Sequence, residues 1–285
     1  MEPHGMLTAN FGKTGRRVTR VGLGGEGALR TYGKPEPACE VIRKALDCGM
    51  TYFDTAKAYA DSERYYGSVW SERPRIRSQI FQAGKSAARD RLSALRDLDE
   101  TLERLHTDYL DLWQIHDVRT HGELDLIAAS GGALEAFVEA RAAGRVRLIG
   151  VTGHHDPAVL TEAVLNWPVD AVMMPVNPVE ASLGGFLTST LPAALQKGIA
   201  VIGMKVLGAS HYIFSHAGIS AERLIRFALS YQITLAIVGC STVSEVETLA
   251  RAATSFNPLS SSEMADIAAL YQPYAKQLAF YRGVI

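Results

Sequence analysis

Short apolar, β-branched runs alternate with longer stretches of helical periodicity along the whole chain. Strand-like runs fall near 19–23, 51–54, 79–84, 109–115, 146–151, 170–176, 199–204 and 234–239. Between and after them, helical spacing of apolar residues predicts helices near 36–48, 61–72, 88–105, 132–143, 156–166, 187–197, 220–231 and 243–253. A further helix is expected near 261–278. Cys48-Gly49, Ala143-Gly144 and Lys197-Gly198 place glycine where a helix ends in a left-handed residue. Strand–helix alternation implies parallel strands with right-handed crossovers. Eight units in a chain of this length predict an α/β fold of (β/α)8 TIM-barrel type, a single domain over 1–285.

In such barrels chemistry sits at the C-terminal ends of the strands. Asp54, Lys85 and His116 fall at or just past those ends, and Tyr59 lies on the loop after the second strand. Period-2 alternation puts Leu112, Gln114 and His116 on one face, directing His116 into the barrel mouth. An acid, a phenol, an amine and an imidazole on one rim make a proton-transfer site. Tyr59 is a plausible acid, and an ammonium at Lys85, held by Asp54, is expected to lower its pKa. His116 would fix a substrate oxygen or share the proton. The set suffices for carbonyl reduction once something supplies hydride, which implies a nicotinamide or flavin cofactor. A structural ion pair between Asp54 and Lys85 is the plainer alternative. A strand-end lysine also allows a Schiff-base aldolase with Lys85 as nucleophile.

Composition narrows the rest. With 47% hydrophobic and 21% charged residues a sizeable core is expected. A net charge of −1, from 29 basic and 30 acidic side chains, gives no reason to expect nucleic acid or an anionic membrane as partner. No apolar run approaches the ~20 residues needed to cross a bilayer. Met1-Glu2-Pro3-His4-Gly5 lacks the blocks of a signal peptide. Cys39, Cys48 and Cys240 read as reduced thiols, pointing to the cytoplasm.

The Phe53-Asp54-Thr55-Ala56-x-x-Tyr59 segment, Lys85 and Leu112-x-x-Ile115-His116 together resemble an aldo-keto reductase. The resemblance extends from Phe11-Gly12-Lys13-Thr14-Gly15 through Gly22-Leu23-Gly24, similar to the family's N-terminal hairpin and first strand, to Leu148-Ile149-Gly150-Val151-Thr152-Gly153, similar to its fifth. It implies that Tyr59 is the general acid, that Lys85 and Asp54 tune it, and that His116 orients an aldehyde or ketone, or the alcohol in the reverse direction. It also leaves room for a cofactor-sensing barrel without turnover.

On the cofactor side the resemblance implies a nicotinamide dinucleotide across strands five to eight. Thr152 stands where a serine binds the carboxamide, with Gly153 in place of the following asparagine, and Met173 matches a glutamine position. Met204 replaces a stacking aromatic, and Lys205 follows it into the site. Leu207-Gly208-Ala209-Ser210 resembles the loop beneath the pyrophosphate, whose backbone donors suit an anion. Gly239, Ser241, Thr242 and Glu245 lie where the last strand meets a helix N-terminus, a place for a phosphate. Family habit favours NADP(H). Glu245, with no basic residue before Arg251, leans the local chemistry towards NAD(H).

Two motifs are decoys. Gly22-Leu23-Gly24-Gly25-Glu26-Gly27 satisfies G-x-G-x-x-G, but Tyr32-Gly33-Lys34-Pro35 follows it and the next acid-ended strand comes too late; a flexible loop over the mouth is expected instead. His154-His155 lacks companions at metal-ligand spacing, so no metal is expected; the pair reads as loop histidines that line a substrate pocket or are solvated. Loops around 25–34, 117–131 and 209–219, carrying Tyr32, His121, His211 and Tyr212, are expected to hide the substrate choice. Their lack of a charge cluster favours an uncharged carbonyl. Tyr271, Tyr274, Phe280 and Tyr281 are expected to pack across the barrel, and the resemblance implies that Phe280 and Tyr281 border the pocket.

Overall fold

The structure, a computed structural model, describes residues 5–284. Residues 1–4, part of the segment read above for a leader, lie outside the described residues. The chain begins with an antiparallel hairpin, β1 (Thr8–Asn10) and β2 (Arg17–Thr19). Phe11 at its turn points inward and packs on Phe81, ring centroids 4.6 Å apart, and on Tyr52. The hairpin thus plugs the bottom of a barrel.

Eight parallel strands close that barrel: β3 (Val21–Gly27), β4 (Tyr52–Asp54), β5 (Phe81–Ser86), β6 (Leu110–Ile115), β7 (Val146–Thr152), β8 (Ala171–Pro175), β9 (Ala200–Met204) and β10 (Leu235–Cys240), which pairs back onto β3. Around it run α1 (Pro35–Asp47), α2 (Ser62–Glu72), α3 (Arg91–Leu105), α4 (His121–Ala128), α5 (Ala133–Ala142), α6 (Pro157–Asn166), α7 (Pro178–Leu183), α8 (Leu191–Lys197), α9 (Ala221–Leu229), α10 (Val243–Thr254), α11 (Ser261–Tyr271) and α12 (Ala275–Leu278). The expected barrel, hairpin and C-terminal helix are all present. None of the described helices is long and apolar enough to cross a membrane.

Strand alternation sorts the core. Tyr52, Phe81, Ala83, Leu112, Met173 and Ile202 fill the barrel interior. Their neighbours point outward to the helices: Phe53 lies edge-on to Trp70, and Trp113 stacks on Phe137 at 3.6 Å. Near the bottom, the buried Asp111 carboxylate accepts from Arg16, Arg77 and Arg147 at 2.8–2.9 Å. Its three cations tie the hairpin, β6 and β7 together, and losing the carboxylate would leave Arg77 buried without its partner.

Several expectations need correction. Residues 117–131 hold α4, started by Thr120, whose hydroxyl accepts from the Glu123 amide. The helix expected at 187–197 begins only at Leu191, as α8, because a π-turn at Phe186–Thr190 takes its first residues and α7 precedes that turn. The helix expected at 261–278 breaks at Gln272–Tyr274, where Pro273 has no amide to give. β5 extends to Ser86, so Lys85 lies inside a strand rather than past its end.

The glycine run is no loop either: it is most of β3. Neighbouring strands crowd it. A Cβ on Gly239 would lie 2.5 Å from the Glu26 Cβ, and one on Gly25 would lie 2.9 Å from the Asp54 carbonyl oxygen. The motif therefore answers close packing between β3, β4 and β10, not a dinucleotide turn.

Candidate active site

β4, β5 and β6 deliver three of the four polar residues to the same rim. Register pairs Asp54 with Ala83 and Lys85 with Gln114, so Asp54, Lys85 and Gln114 share the inward face. The Lys85 ammonium, 1% exposed as a residue, donates to Asp54 Oδ2 at 2.5 Å, to the Thr55 carbonyl at 2.9 Å and to the Tyr59 hydroxyl oxygen at 3.4 Å. Its three protons are all placed. Gln114 Nε2 reaches the other Asp54 oxygen at 3.5 Å. The Tyr59 ring sits edge-on to His116, centroids 5.7 Å apart. All four residues named from the sequence therefore meet.

Burial pulls the Lys85 ammonium down, but Asp54 and Tyr59 outweigh it and its pKa rises above the ordinary lysine value. Burial also raises the Asp54 carboxyl, against the pull of Lys85 and Gln114. From the sequence, Lys85 is expected to lower the Tyr59 pKa. Lys85 does act in that direction, yet burial wins and the phenol is raised, so it keeps its proton at neutral pH. Burial, reinforced by Lys85, pushes His116 down to about 3. At neutral pH these four residues thus make one ion pair, a protonated phenol and a neutral imidazole.

Around Tyr59 and His116, Arg30 and Asp117 have no role that the sequence alone reveals, and the loop histidine His154 joins them. The Arg30 guanidinium lies 5.2 Å from the Tyr59 ring centroid and is paired with Glu26 at 2.7 Å. Asp117, next to His116, has φ +55 and bonds Arg119. His154 has Nδ1 3.1 Å from the Tyr281 carbonyl and Nε2 3.3 Å from Asp117 Oδ1. Tyr281 in turn donates to Glu180 at 2.7 Å, beside the buried Glu180–Arg282 pair. The C-terminal segment is thereby fastened over the ends of β7 and β8. Of the two aromatics expected to border the pocket, Tyr281 is buried and Phe280 exposed. Tyr212 is also buried, with its hydroxyl on the Leu278 carbonyl at 3.0 Å, and so cannot face a substrate. Tyr32 is 78% exposed.

The residues matched to a cofactor line the ends of β7, β9 and β10. Thr152 ends β7, its hydroxyl accepting the Asp117 amide at 2.9 Å. A side chain at Gly153 would meet the Val118 carbonyl at 3.0 Å, which accounts for glycine there. Met173 is core, and Met204 closes β9 as part of the interior beneath the mouth. Lys205 has φ +56, a left-handed conformation that costs a lysine about 1 kcal/mol. Gly208, Ala209 and Ser210 follow, also left-handed, and Gly208 must be glycine because Tyr212 lies against it. The amides of Ala209 and Ser210 have no partner among the described residues. Gly239 lets β3 approach. Thr242 caps α10 on the Glu245 amide, and Glu245 Oε2 returns to the Ser241 amide at 2.6 Å. The amides of Val243 and Ser244 stay open among the described residues. Those open donors in two places fit an anionic group; the Glu245 carboxylate does not fit a second phosphate beside it.

Comparison with known proteins agrees with this geometry. The family model described as "Aldo/keto reductase family" matches residues 20–215. L-galactose dehydrogenase of Arabidopsis thaliana is 27% identical, the match spanning 96% of this chain and 97% of its own. An aldo-keto reductase of Bacillus subtilis is 30% identical over 69% of this chain and 61% of its own. The crystal structure of an aldo/keto reductase from Klebsiella pneumoniae superposes with a TM-score of 0.74, at 23% identity, covering 93% of this chain and 95% of the other. A barrel whose rim unites Asp54, Tyr59, Lys85 and His116, matched by the family model over more than half its length, belongs to the aldo/keto reductase family.

Proposed function

We propose that this chain, acting as one barrel domain, reduces an aldehyde or ketone to an alcohol with Tyr59 as general acid. One observation carries the reading: the Tyr59 hydroxyl lies 3.4 Å from the Lys85 ammonium and its ring edge-on to His116, where burial raises the phenol's pKa and lowers the imidazole's. Tyr59 therefore has a proton to give and a cation beside the phenolate left behind. His116, uncharged, has an N–H to direct the carbonyl oxygen but no spare proton. Asp54 keeps Lys85 charged, and Gln114 steadies Asp54. Solvent then returns the proton to Tyr59.

A nicotinamide dinucleotide supplies the hydride when bound. NADP(H) is the proposed cofactor, supported by the Klebsiella relative, which was solved in complex with NADP. NAD(H) is kept as the alternative because of Glu245. Thr152, Met204, Leu207, Gly208, Gly239, Ser241 and Thr242 are proposed to hold it, the pyrophosphate against the open amides of the loop after β9 or of α10. Three free cysteines support a reducing compartment, the cytoplasm.

The aldolase reading is disfavoured, because a Schiff base needs a neutral amine and Lys85 is held charged with every proton engaged. Titration with NADPH and NADH by fluorescence, followed by an aldehyde and ketone panel, tests the proposal. Binding below millimolar concentration with turnover is expected. No binding of either nucleotide, or borohydride trapping of a substrate on Lys85, would overturn it.

A further inference from the structure

Among the described residues, charges at the barrel mouth cancel in pairs, with one exception. Asp54 faces Lys85, Glu26 faces Arg30 and Asp117 faces Arg119. His116 and His154 are both pushed towards neutrality by burial. Lys205, half-buried at the end of β9, has no ion pair or side-chain hydrogen bond among the described residues. The charges that act on its ammonium are Glu26 and Asp117, which favour it, and Arg30 and Lys85, which oppose it. Those are the groups that ring Tyr59 and His116.

Specific contacts hold its backbone there. Lys205 is left-handed, and its carbonyl accepts from Asn177 Nδ2 at 3.1 Å and from the Gly208 amide at 3.2 Å. Asn177 is itself fixed by Tyr281, which the C-terminal segment contributes. A strained backbone maintained by its neighbours to present an unmatched cation is a feature of binding sites. Burial holds the pKa of that ammonium down, so a bound anion would recover the charge that desolvation penalises.

We propose that Lys205 anchors a carboxylate on the substrate, making carbonyl compounds that carry an acid group the preferred class. The proposal rests on the reductase reading of Tyr59 and reverses the expectation of an uncharged carbonyl drawn from the loops. Lys205 takes the carboxylate while the carbonyl oxygen meets Tyr59 and His116. No bond is made or broken at Lys205.

Two aldehydes on the same ring, one anionic and one its neutral methyl ester, provide the test: 4-carboxybenzaldehyde and methyl 4-formylbenzoate. The wild-type enzyme should prefer the acid in kcat/KM, and Lys205→Met should reduce the acid-to-ester ratio by at least about tenfold, through KM, with partial rescue by Lys205→Arg. Benzoate should bind the cofactor-loaded wild-type protein more tightly than benzamide by calorimetry and lose that advantage in Lys205→Met. This arm reads Lys205 even if neither aldehyde turns over, which would count against the reductase reading instead. An unchanged ratio with no benzoate preference overturns the proposal. So does a loss of NADPH and NADH affinity in Lys205→Met at a constant ratio, because the cation would then serve the dinucleotide.

Discussion

Gly25 leaves Tyr59 its place: a Cβ there would lie 2.6 Å from Tyr59 Cδ2. The same Cβ would lie 2.9 Å from the Asp54 carbonyl oxygen, so the methyl cannot shift that way to spare the ring. Gly25→Ala should displace the phenol from Lys85 and lower kcat by about tenfold or more, since misplacement by about an ångström is costly. Steady-state kinetics with a thermal melt checks it. An unchanged kcat would mean that the ring does not need this position.

The low pKa of His116 has a consequence for stability. Unfolded, the imidazole takes a proton near 6.5; folded, only at about 3. Between those values the unfolded chain binds more protons, so the contribution of this residue to stability falls as pH falls through that window. His116→Gln removes it. The wild type should therefore lose more stability than the variant between pH 7 and pH 4.5, measured by urea unfolding at each pH. Parallel losses would show that His116 is not held neutral.

Glu245 takes the anion's position at the N-terminus of α10 by closing onto the Ser241 amide at 2.6 Å. Glu245→Lys frees that amide and reverses the charge. The NADPH-to-NADH ratio of kcat/KM should rise by at least about tenfold, the equivalent of roughly 1.4 kcal/mol. A constant ratio would place the ribose phosphate away from this helix.

The parts of this site legible in the sequence are those fixed by strand periodicity. Asp54, Lys85 and His116 sit on inward positions at strand ends, and Tyr59 follows one of them by five residues. Partners that depend on distant chain were not legible: Asn177, Glu180 and Tyr281 meet across about a hundred residues. Even so, Thr120 and Glu123 carried the start signal of α4, and Asn177, Pro178 and Glu180 that of α7. The direction of the Tyr59 pKa shift came out opposite to expectation because its sign depends on burial, which a sequence does not display. Gly22, Gly24, Gly25 and Gly27 misled for a related reason: their neighbours on β4 and β10 are remote in sequence.

In the proposed reaction Tyr59, and not His116, gives the proton. Turnover of one aldehyde at pH 7 by Tyr59→Phe, with NADPH and NADH affinity measured alongside, separates the two. A loss in kcat of about 10²–10⁴ with nucleotide binding retained is the predicted result. Turnover surviving in Tyr59→Phe would contradict the assignment of Tyr59 as the acid.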